Sequence, residues 1–586
     1  LLSTENGFAK MITSNIPHDL QTITKHLKIN FPLERITCCP ECYSLYDVEV
    51  APEDCTYRPT INSAICGAEL FAREKFKPLP SMKFTTTKNK TPSASQTFGL
   101  IWLSGQPHLR VPYSTLVLQP VRSWLEWFIN VPGVEEAIDE CASMISSQST
   151  TVITDISQSQ VWREVFNNTT THTRLELRFS LFIDWFNPRG NKVSGKQVSM
   201  GLMALNCLNL PPQLRFQQVY TCLAGVIPAP KQPDIVTINH VLQPLISQLL
   251  ELNQGFTIAT PMYPHGCQIS VRLVSLLGDI VANHKVSGFM SHSAKRFCSW
   301  CEIKDDERKE LKFGKLRNRR SVLTSSWKWK EAENESQQQA FAKETGIRWS
   351  ELNTLPYWDP VVCVPLGVMN NWYEGVLQHH FRFRWGFDLA FVKNAMNKAN
   401  ISDSESDVMD MDNAETSDEE ESENLKGFLS NQLKNNIQTR IQDVIVSKGV
   451  TRITSQVGSA RNGKLKASEW RALFSVYLPL VVLDSFLEGN SSQLLLTNTE
   501  SLIKCTAIVG AKSITKEDAI CFSQSYQSYQ NTSNELFTNI KITPNHHYAM
   551  HIPEQLMRWG PLMGLSEFSG ERLVGTLQKL KTNSIN

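Results

Sequence analysis

The 586 residues are 41% hydrophobic and 20% charged, ordinary globular composition with enough chain for several domains. No signal-peptide pattern is present, and the longest apolar run, 476–487, is broken by Pro479 and Asp484 and too short to span a bilayer, so a soluble intracellular protein with no membrane partner is expected; the start at Leu1 rather than Met suggests a fragment or a clipped gene model. The net charge of +1 conceals an acidic run, 402–424, with eleven Asp and Glu and no Lys or Arg; the remainder carries +12, which suggests a polyanionic partner.

Residues 1–32 read as loosely structured lead-in with one short helical pattern at 20–27. Cys39-x-x-Cys42, followed by Cys55 and Cys66, suits a four-thiolate zinc site on a small ribbon or knuckle, because zinc accepts tetrahedral sulfur ligation without redox chemistry. Residues 77–97, rich in Lys, Pro, Ser and Thr, read as a linker. The spacing of Trp124, Leu125, Phe128 and Ile129 predicts helix within 111–145, broken at Pro132-Gly133, and 161–166 reads as another short helix.

The pattern changes at Arg174. Leu175, Leu177, Phe179 and Leu181 alternate with polar residues, then Phe182 and Ile183 make the run apolar on both faces, as in a central strand covered on both sides. Asp184 ends that run just before the turn residues Asn187-Pro188-Arg189-Gly190. Strands are expected again at 197–205 and 217–226, forming an antiparallel meander, followed by a helix over 234–252 opened by Asp234. A fourth strand, 269–277, delivers Asp279 at its end. Three strands, a helix, and a fourth strand with acids ending the first and fourth is the order of a ribonuclease-H-like core, in which those strands lie side by side. Two apposed carboxylates repel unless a cation lies between them, and Mg²⁺ or Mn²⁺, hard ions that prefer oxygen, suit the gap.

The residues around these acids, D-W-F-N-P-R-G-N-K, L-N-L-P-P-Q-L-R-F, V-I-P-A-P-K-Q-P and V-R-L-V-S-L-L-G-D-I, resemble the transposases of CACTA (En/Spm-type) DNA transposons of plants and fungi. The resemblance continues through F-C-S-W-C, L-P-Y-W-D-P and G-V-M-N-N-W-Y-E-G-V-L-Q-H-H to M-H-I-P-E-Q-L-M-R-W-G-P and S-G-E-R-L-V-G-T-L-Q-K-L-K-T-N, covering most of 39–583, and it rests on the order of these motifs. It implies a DDE-type enzyme that cuts and joins double-stranded DNA at transposon ends and in target DNA, in the nucleus, as dimers or larger homo-oligomers. Asp184 is then the first acid and Asp279 the second, and Glu571, in a late Glu-Arg pair, is the third, with Glu374 of N-W-Y-E-G as its rival; together they would hold Mg²⁺ or Mn²⁺. Three departures are visible: Gly367-Val368-Met369-Asn370 stands where many relatives have Asp-x-x-His or Cys-x-x-His, Trp185 follows the first acid where relatives often have Gly, and the chain stops soon after the last motif.

Cys298-x-x-Cys301 reads as half of a zinc knuckle, with His292 and Cys363 as candidate partners; His546, His547 and His551 are expected to pack or hydrogen-bond rather than ligate. Residues 308–330 carry nine Lys or Arg, one Glu, and Trp327 and Trp329, a mixture suited to phosphate contact and base stacking. Lys315, Arg317, Arg319, Arg320, Lys328, Lys330 and Arg572 are the DNA-binding candidates. The acidic run 402–424 has nothing to bury and is expected to be disordered, shielding the basic surface until DNA displaces it. Residues 425–537 read as helical.

The expected fold is α/β: a ribonuclease-H-like mixed sheet flanked by helices, with a large helical insertion and an N-terminal zinc-binding region. The expected division is a Cys-rich region at 1–76, a linker and helical segment at 77–170, the first part of the core at 171–300, a basic segment and helical insertion at 301–560, and a closing helix at 561–586. The alternatives are a decayed or domesticated DNA-binding derivative of such an enzyme and, from another class, a protein-binding scaffold with no salt-dependent DNA affinity.

Overall fold

A computed structural model describes residues 32–75, 99–103, 106–147, 151–167, 175–188, 198–387, 428–454, 457–458, 465–489 and 491–579. The expectations for 20–27, 77–97 and 402–424 lie outside the described residues. In chain order the structure begins with strands β1 (Glu34–Cys38), β2 (Leu45–Tyr46), β3 (Phe71–Lys75), β4 (Gly99–Leu103), β5 (Gln106–Pro112) and β6 (Thr115–Leu118), then helices α1 (Val121–Phe128), α2 (Val134–Ser147) and α3 (Gln160–Asn167). Next come β7 (Leu175–Phe186), β8 (Met200–Cys207) and β9 (Thr221–Ile227), helix α4 (Ile238–Asn253), and strands β10 (Phe256–Ile258) and β11 (Cys267–Leu277).

Strands β10-β11-β7-β8-β9-β6-β1-β2 make one mixed sheet, in that order, while β3-β5-β4 form a separate small one. β7, β8 and β9 are the antiparallel meander, and β11 returns through α4 to lie parallel to β7. The apolar run of β7 is explained by cover on both faces. Leu177, Phe179, Leu181 and Ile183 pack with α1 and α4; Phe182 and Phe186 face the helices that follow later in the chain. The Cys-rich region does not stand apart from this sheet, because β1 pairs with β6 and β6 with β9.

Helix does not fill 111–145 as expected. Thr115-Leu-Val-Leu118 alternates half-buried and buried positions as strand β6, and α1 starts only after Pro120, whose fixed φ suits a helix start but which has no N–H for a sheet ladder. Asp234 acts one turn earlier than expected: its Oδ1 accepts from the N–H groups of Val236 (2.8 Å) and Thr237 (2.7 Å), and α4 begins after Thr237.

After β11 come α5 (Ile280–Ser287), α6 (Arg319–Lys330), α7 (Glu335–Thr345) and a π-helix at Met369–Leu377. The helical layer continues with α8 (Asn431–Asp443), α9 (Ala467–Ala472), α10 (Leu478–Glu488), α11 (Gln493–Val509), α12 (Lys516–Leu536), α13 (Pro544–Ala549) and α14 (Ile552–Trp559). Helix α15 (Phe568–Leu577) then brings the chain back to the sheet. The apolar stretch expected to break at Pro479 does not break. A π-turn at Leu473–Tyr477 places Pro479 in the first turn of α10, where no intrahelical N–H is needed, so the helical run Ala467–Glu488 is 22 residues long. It is long and apolar enough to cross a membrane by length and composition, and 56% of its most apolar window is buried inside the protein.

Candidate active site and metal clusters

Asp184 lies near the end of β7, and Asp279 follows β11 as the N-cap of α5, its Oδ1 accepting the Ala282 N–H at 2.6 Å. Their alignment depends on a β-bulge. From Ile269↔Leu175 to Leu273↔Phe179 the two strands pair at an offset of 94 residues; from Ser275↔Ser180 to Leu277↔Phe182 the offset is 95. Ninety-five is the separation of Asp184 and Asp279. Without the extra residue Asp279 would fall level with Trp185, whose side chain belongs to the opposite face of the sheet, since a one-residue slip exchanges faces.

The third carboxyl comes from α15. Gly570 lies so close to β7 that a Cβ there would meet the Phe182 ring at 2.0–2.4 Å, and this approach puts Glu571 against Asp184. The Asp184 and Glu571 carboxyls share a hydrogen bond. Burial first, then the charges of Asp279 and Glu571, hold the Asp184 carboxyl well above the usual carboxylate range. Burial also raises Asp279, and burial followed by the charge of Asp279 raises Glu571. Three acids at one point repel unless a proton or a cation lies among them, and an all-oxygen donor set suits a hard divalent ion. The rival acid Glu374 sits in the middle of the π-helix Met369–Leu377, and the carboxylate next to Asp184 is that of Glu571.

A fourth acid, Glu567, escaped the sequence reading. It is 2% exposed, and burial pushes its carboxyl up to about 8. Its Oε2 accepts the Met369 N–H at 3.1 Å, and a Cβ at Gly367 would come within 1.7 Å of Oε1. The space beside Gly367 is thus filled from across the site: the carboxyl of Glu567 occupies the volume that a side chain at 367 would take. A glycine facing a distant glutamate leaves no periodic signal in sequence.

Two soft-donor clusters lie elsewhere. Cys39, Cys42, Cys55 and Cys66 place their sulfurs within 4.8 Å of one another, with Cys39–Cys66 at 3.8 Å and Cys42–Cys55 at 3.4 Å. Tetrahedral zinc with Zn–S bonds of about 2.3 Å needs sulfurs roughly 3.8 Å apart, so this buried set could hold a structural zinc. Hydrogen bonding from Cys42 lowers the Cys39 thiol to about 5, leaving a thiolate ready to ligate.

In the second cluster Cys298 and Cys301 are joined not by His292 or Cys363 but by His547 and His551. Cys298 Sγ lies 3.4 Å from His551 Nε2 and Cys301 Sγ 3.3 Å from His547 Nε2. The two histidines are four residues apart, on and just after α13, which presents both rings to the knuckle. Cys363 instead serves the sheet, its carbonyl accepting the Leu276 N–H at 2.8 Å, and His546 turns to Thr543 Oγ1 at 2.9 Å.

The basic segment divides. Lys315, Arg320, Lys328 and Arg572 are exposed, and exposed Lys330 sits 3.7 Å over Trp349. Arg317 is 6% exposed, and its guanidinium donates to the carbonyls of Cys298, Cys301 and Thr345, so it braces the cysteine knuckle instead of meeting phosphate. Arg319 is exposed, yet it donates to the carbonyls of Pro356 and Trp358. Trp329 is buried against Trp349, leaving Trp327 as the surface indole of the pair.

No curated protein matches the chain. Residues 152–343, which include Asp184, Asp279, Cys298, Cys301 and the basic helix α6, match the family model described as transposase family tnp2, a match that supports a transposase.

Proposed function

We propose that the chain is a DDE-type transposase of the CACTA (En/Spm) kind, with a ribonuclease-H-like core, that cuts and joins DNA at transposon ends in the nucleus. The observation that carries this reading is the convergence of Asp184, Asp279 and Glu571 from two parallel strands and one late helix, the first two lying within the transposase match. The carboxyls of these three residues would hold Mg²⁺ or Mn²⁺, and the donor set fits: oxygen only, from three carboxyls that burial and mutual repulsion hold above their usual range and that a cation would relieve. Two such ions supply activation of the attacking oxygen and stabilisation of the leaving oxygen in an in-line phosphoryl displacement. Asp279 is held by the backbone of α5, its Oδ1 accepting the Ala282 N–H at 2.6 Å. Asp184 is similarly held, its Oδ1 accepting the Trp185 N–H at 2.7 Å. Glu571, on α15 with its carboxyl turned onto Asp184, closes the third side, and neighbouring exposed Arg572 is placed to meet a DNA phosphate.

Exposed Lys315, Arg320, Lys328 and Lys330 supply a sequence-independent DNA surface, and second copies of the chain would hold the paired ends. The test is Mg²⁺-dependent nicking of element-end DNA. Wild type nicks; Asp184→Asn and Asp279→Asn bind DNA but do not nick. Cleavage surviving in both variants refutes the assignment. DNA binding by wild type with no divalent-dependent cleavage identifies a decayed, binding-only derivative instead.

A further inference from the structure

We propose that Glu567 is a positioning residue for the third acid, clasping the helix that carries Glu571 to the point where the helical insertion leaves the core. The inference rests on the acid-site reading above and concerns how that site is held together. Gly367 and Glu567 are two hundred residues apart, and the insertion lies between them.

Glu567 works from both of its ends. Its backbone is the N-cap position of α15, and its carbonyl accepts the Glu571 N–H at 2.9 Å, one turn along. Its side chain reaches away from α15 to the first turn of the π-helix Met369–Leu377. That turn has no capping side chain and no acidic residue of its own. Its leading N–H groups therefore need an acceptor from elsewhere. Glu567 supplies it: Oε2 accepts the Met369 N–H at 3.1 Å, and the Asn370 N–H is directed at the same carboxyl.

The fit is close. A Cβ at residue 367 would lie 1.7 Å from Oε1 and 2.4 Å from the carboxyl carbon, so only glycine admits the clasp. Gly570, three residues after Glu567, admits the Phe182 ring in the same way. Glu571 is thus fixed by two glycine contacts, one to the sheet and one to the insertion. If the insertion moves relative to the sheet, Glu567 passes that movement to the third acid.

The experiment measures Mn²⁺ affinity by calorimetric titration of the full chain, together with Mn²⁺-dependent nicking. Wild type binds Mn²⁺. Glu567→Ala binds it at least tenfold more weakly while keeping native circular dichroism and metal-free DNA binding. Glu567→Gln, which retains an acceptor oxygen for the Met369 N–H, recovers affinity to within about threefold of wild type. A residue that served stability alone would lower the melting temperature in Glu567→Ala and leave Mn²⁺ affinity at the wild-type value; that result overturns the clasp. Should Glu567→Ala not fold, Glu567→Asp withdraws the carboxyl by one methylene and carries the same comparison, with the same two outcomes. A wild-type chain that binds no Mn²⁺ overturns the acid-site reading itself, which is a different failure from equal affinities across folded variants.

Discussion

Gly570→Ala probes the seating of the third acid, and Gly575→Ala on the same helix is its control. Both lie in α15, where replacing glycine with alanine contributes about 0.5–1 kcal/mol of helix stability. A methyl at 575 meets nothing within 4 Å. A methyl at 570 meets three ring carbons of Phe182 at 2.0, 2.2 and 2.4 Å. Ordinary contact begins near 3.4 Å, so the helix must retreat by roughly 1–1.5 Å or the buried ring must turn out of its packed position. Overpacking of this kind costs about 1–3 kcal/mol, which outweighs the helix gain. The displacement also moves Glu571 off Asp184, and a misplacement of about 1 Å at a reacting centre can reduce rate by about 100-fold. Denaturant unfolding should show Gly575→Ala more stable than wild type and Gly570→Ala less stable. Nicking of element-end DNA in Mg²⁺ should be unchanged in the first and down by about two orders of magnitude in the second. Gly570→Ala that nicks at the wild-type rate and gains stability like its control would refute the account of how α15 is seated.

The acid side of the pH profile should carry a histidine signature. Burial, with the Arg384 charge next, lowers His379 to about 3, so the folded state stays neutral while the unfolded chain protonates near 6.5. Stability from this group is complete above pH 6.5 and is lost as pH falls toward 3, about 2 kcal/mol by pH 5. The raised carboxyls of the acid site shift in the opposite sense, so the measurement is a difference: the destabilisation caused by His379→Leu should shrink by about 2 kcal/mol between pH 7 and pH 5, and a pH-independent difference would contradict it. In the sheet, buried Glu176 lies between Arg178 (3.1 Å) and Arg272 (3.7 Å). Glu176→Gln should cost about 3–5 kcal/mol in urea unfolding, because two buried guanidinium groups lose their one shared counter-charge. For the soft clusters, wild type should carry two zinc ions per chain by mass spectrometry, and Cys42→Ser and His547→Ala one each; two ions retained in His547→Ala would remove the histidines from the second site.

The parts of this architecture legible in the sequence are those with a local period or a local pair. β7 declares itself by its apolar run and the acid at its end, β11 does the same, and Cys39-x-x-Cys42 needs only its two later cysteines to make a complete donor set. What was not legible depends on contacts between distant segments. His547 and His551 read as packing residues because nothing near them in sequence marks a metal, and Cys298 and Cys301 lie some 250 residues upstream. Arg317 reads as a phosphate contact because charge density is visible in sequence and direction is not; folded, it turns inward to carbonyl oxygens. The bulge in β11 has no signature at all, yet it determines which face Asp279 occupies.

The separation of donor types follows from the same geometry. Both sulfur-bearing clusters draw their donors from turns, loops or helix ends, where backbone N–H groups such as those of Trp300 and Cys301 donate to a cysteine sulfur, here Cys298 Sγ, at 3.4 Å. The carboxyl cluster draws two of its three donors from the ends of central strands, which the core on both faces prevents from moving. A structural metal needs a closed, soft, saturated shell; a reaction at phosphorus needs hard ions with open positions facing solvent. The chain keeps the two donor sets, sulfur with imidazole and carboxyl, in different places. The knuckle of Cys298 and Cys301 lies beyond the second acid, and its histidine partners lie just before α14, the helix that precedes α15. A zinc there would tie the segment that follows the second acid to the end of the insertion, whose His551 lies sixteen residues before Glu567. Two independent fastenings, one of metal and one of hydrogen bonds, would then hold the third acid against strands that end 294 and 385 residues before it, which is what a helix-borne ligand needs if a large insertion is not to pull it out of register.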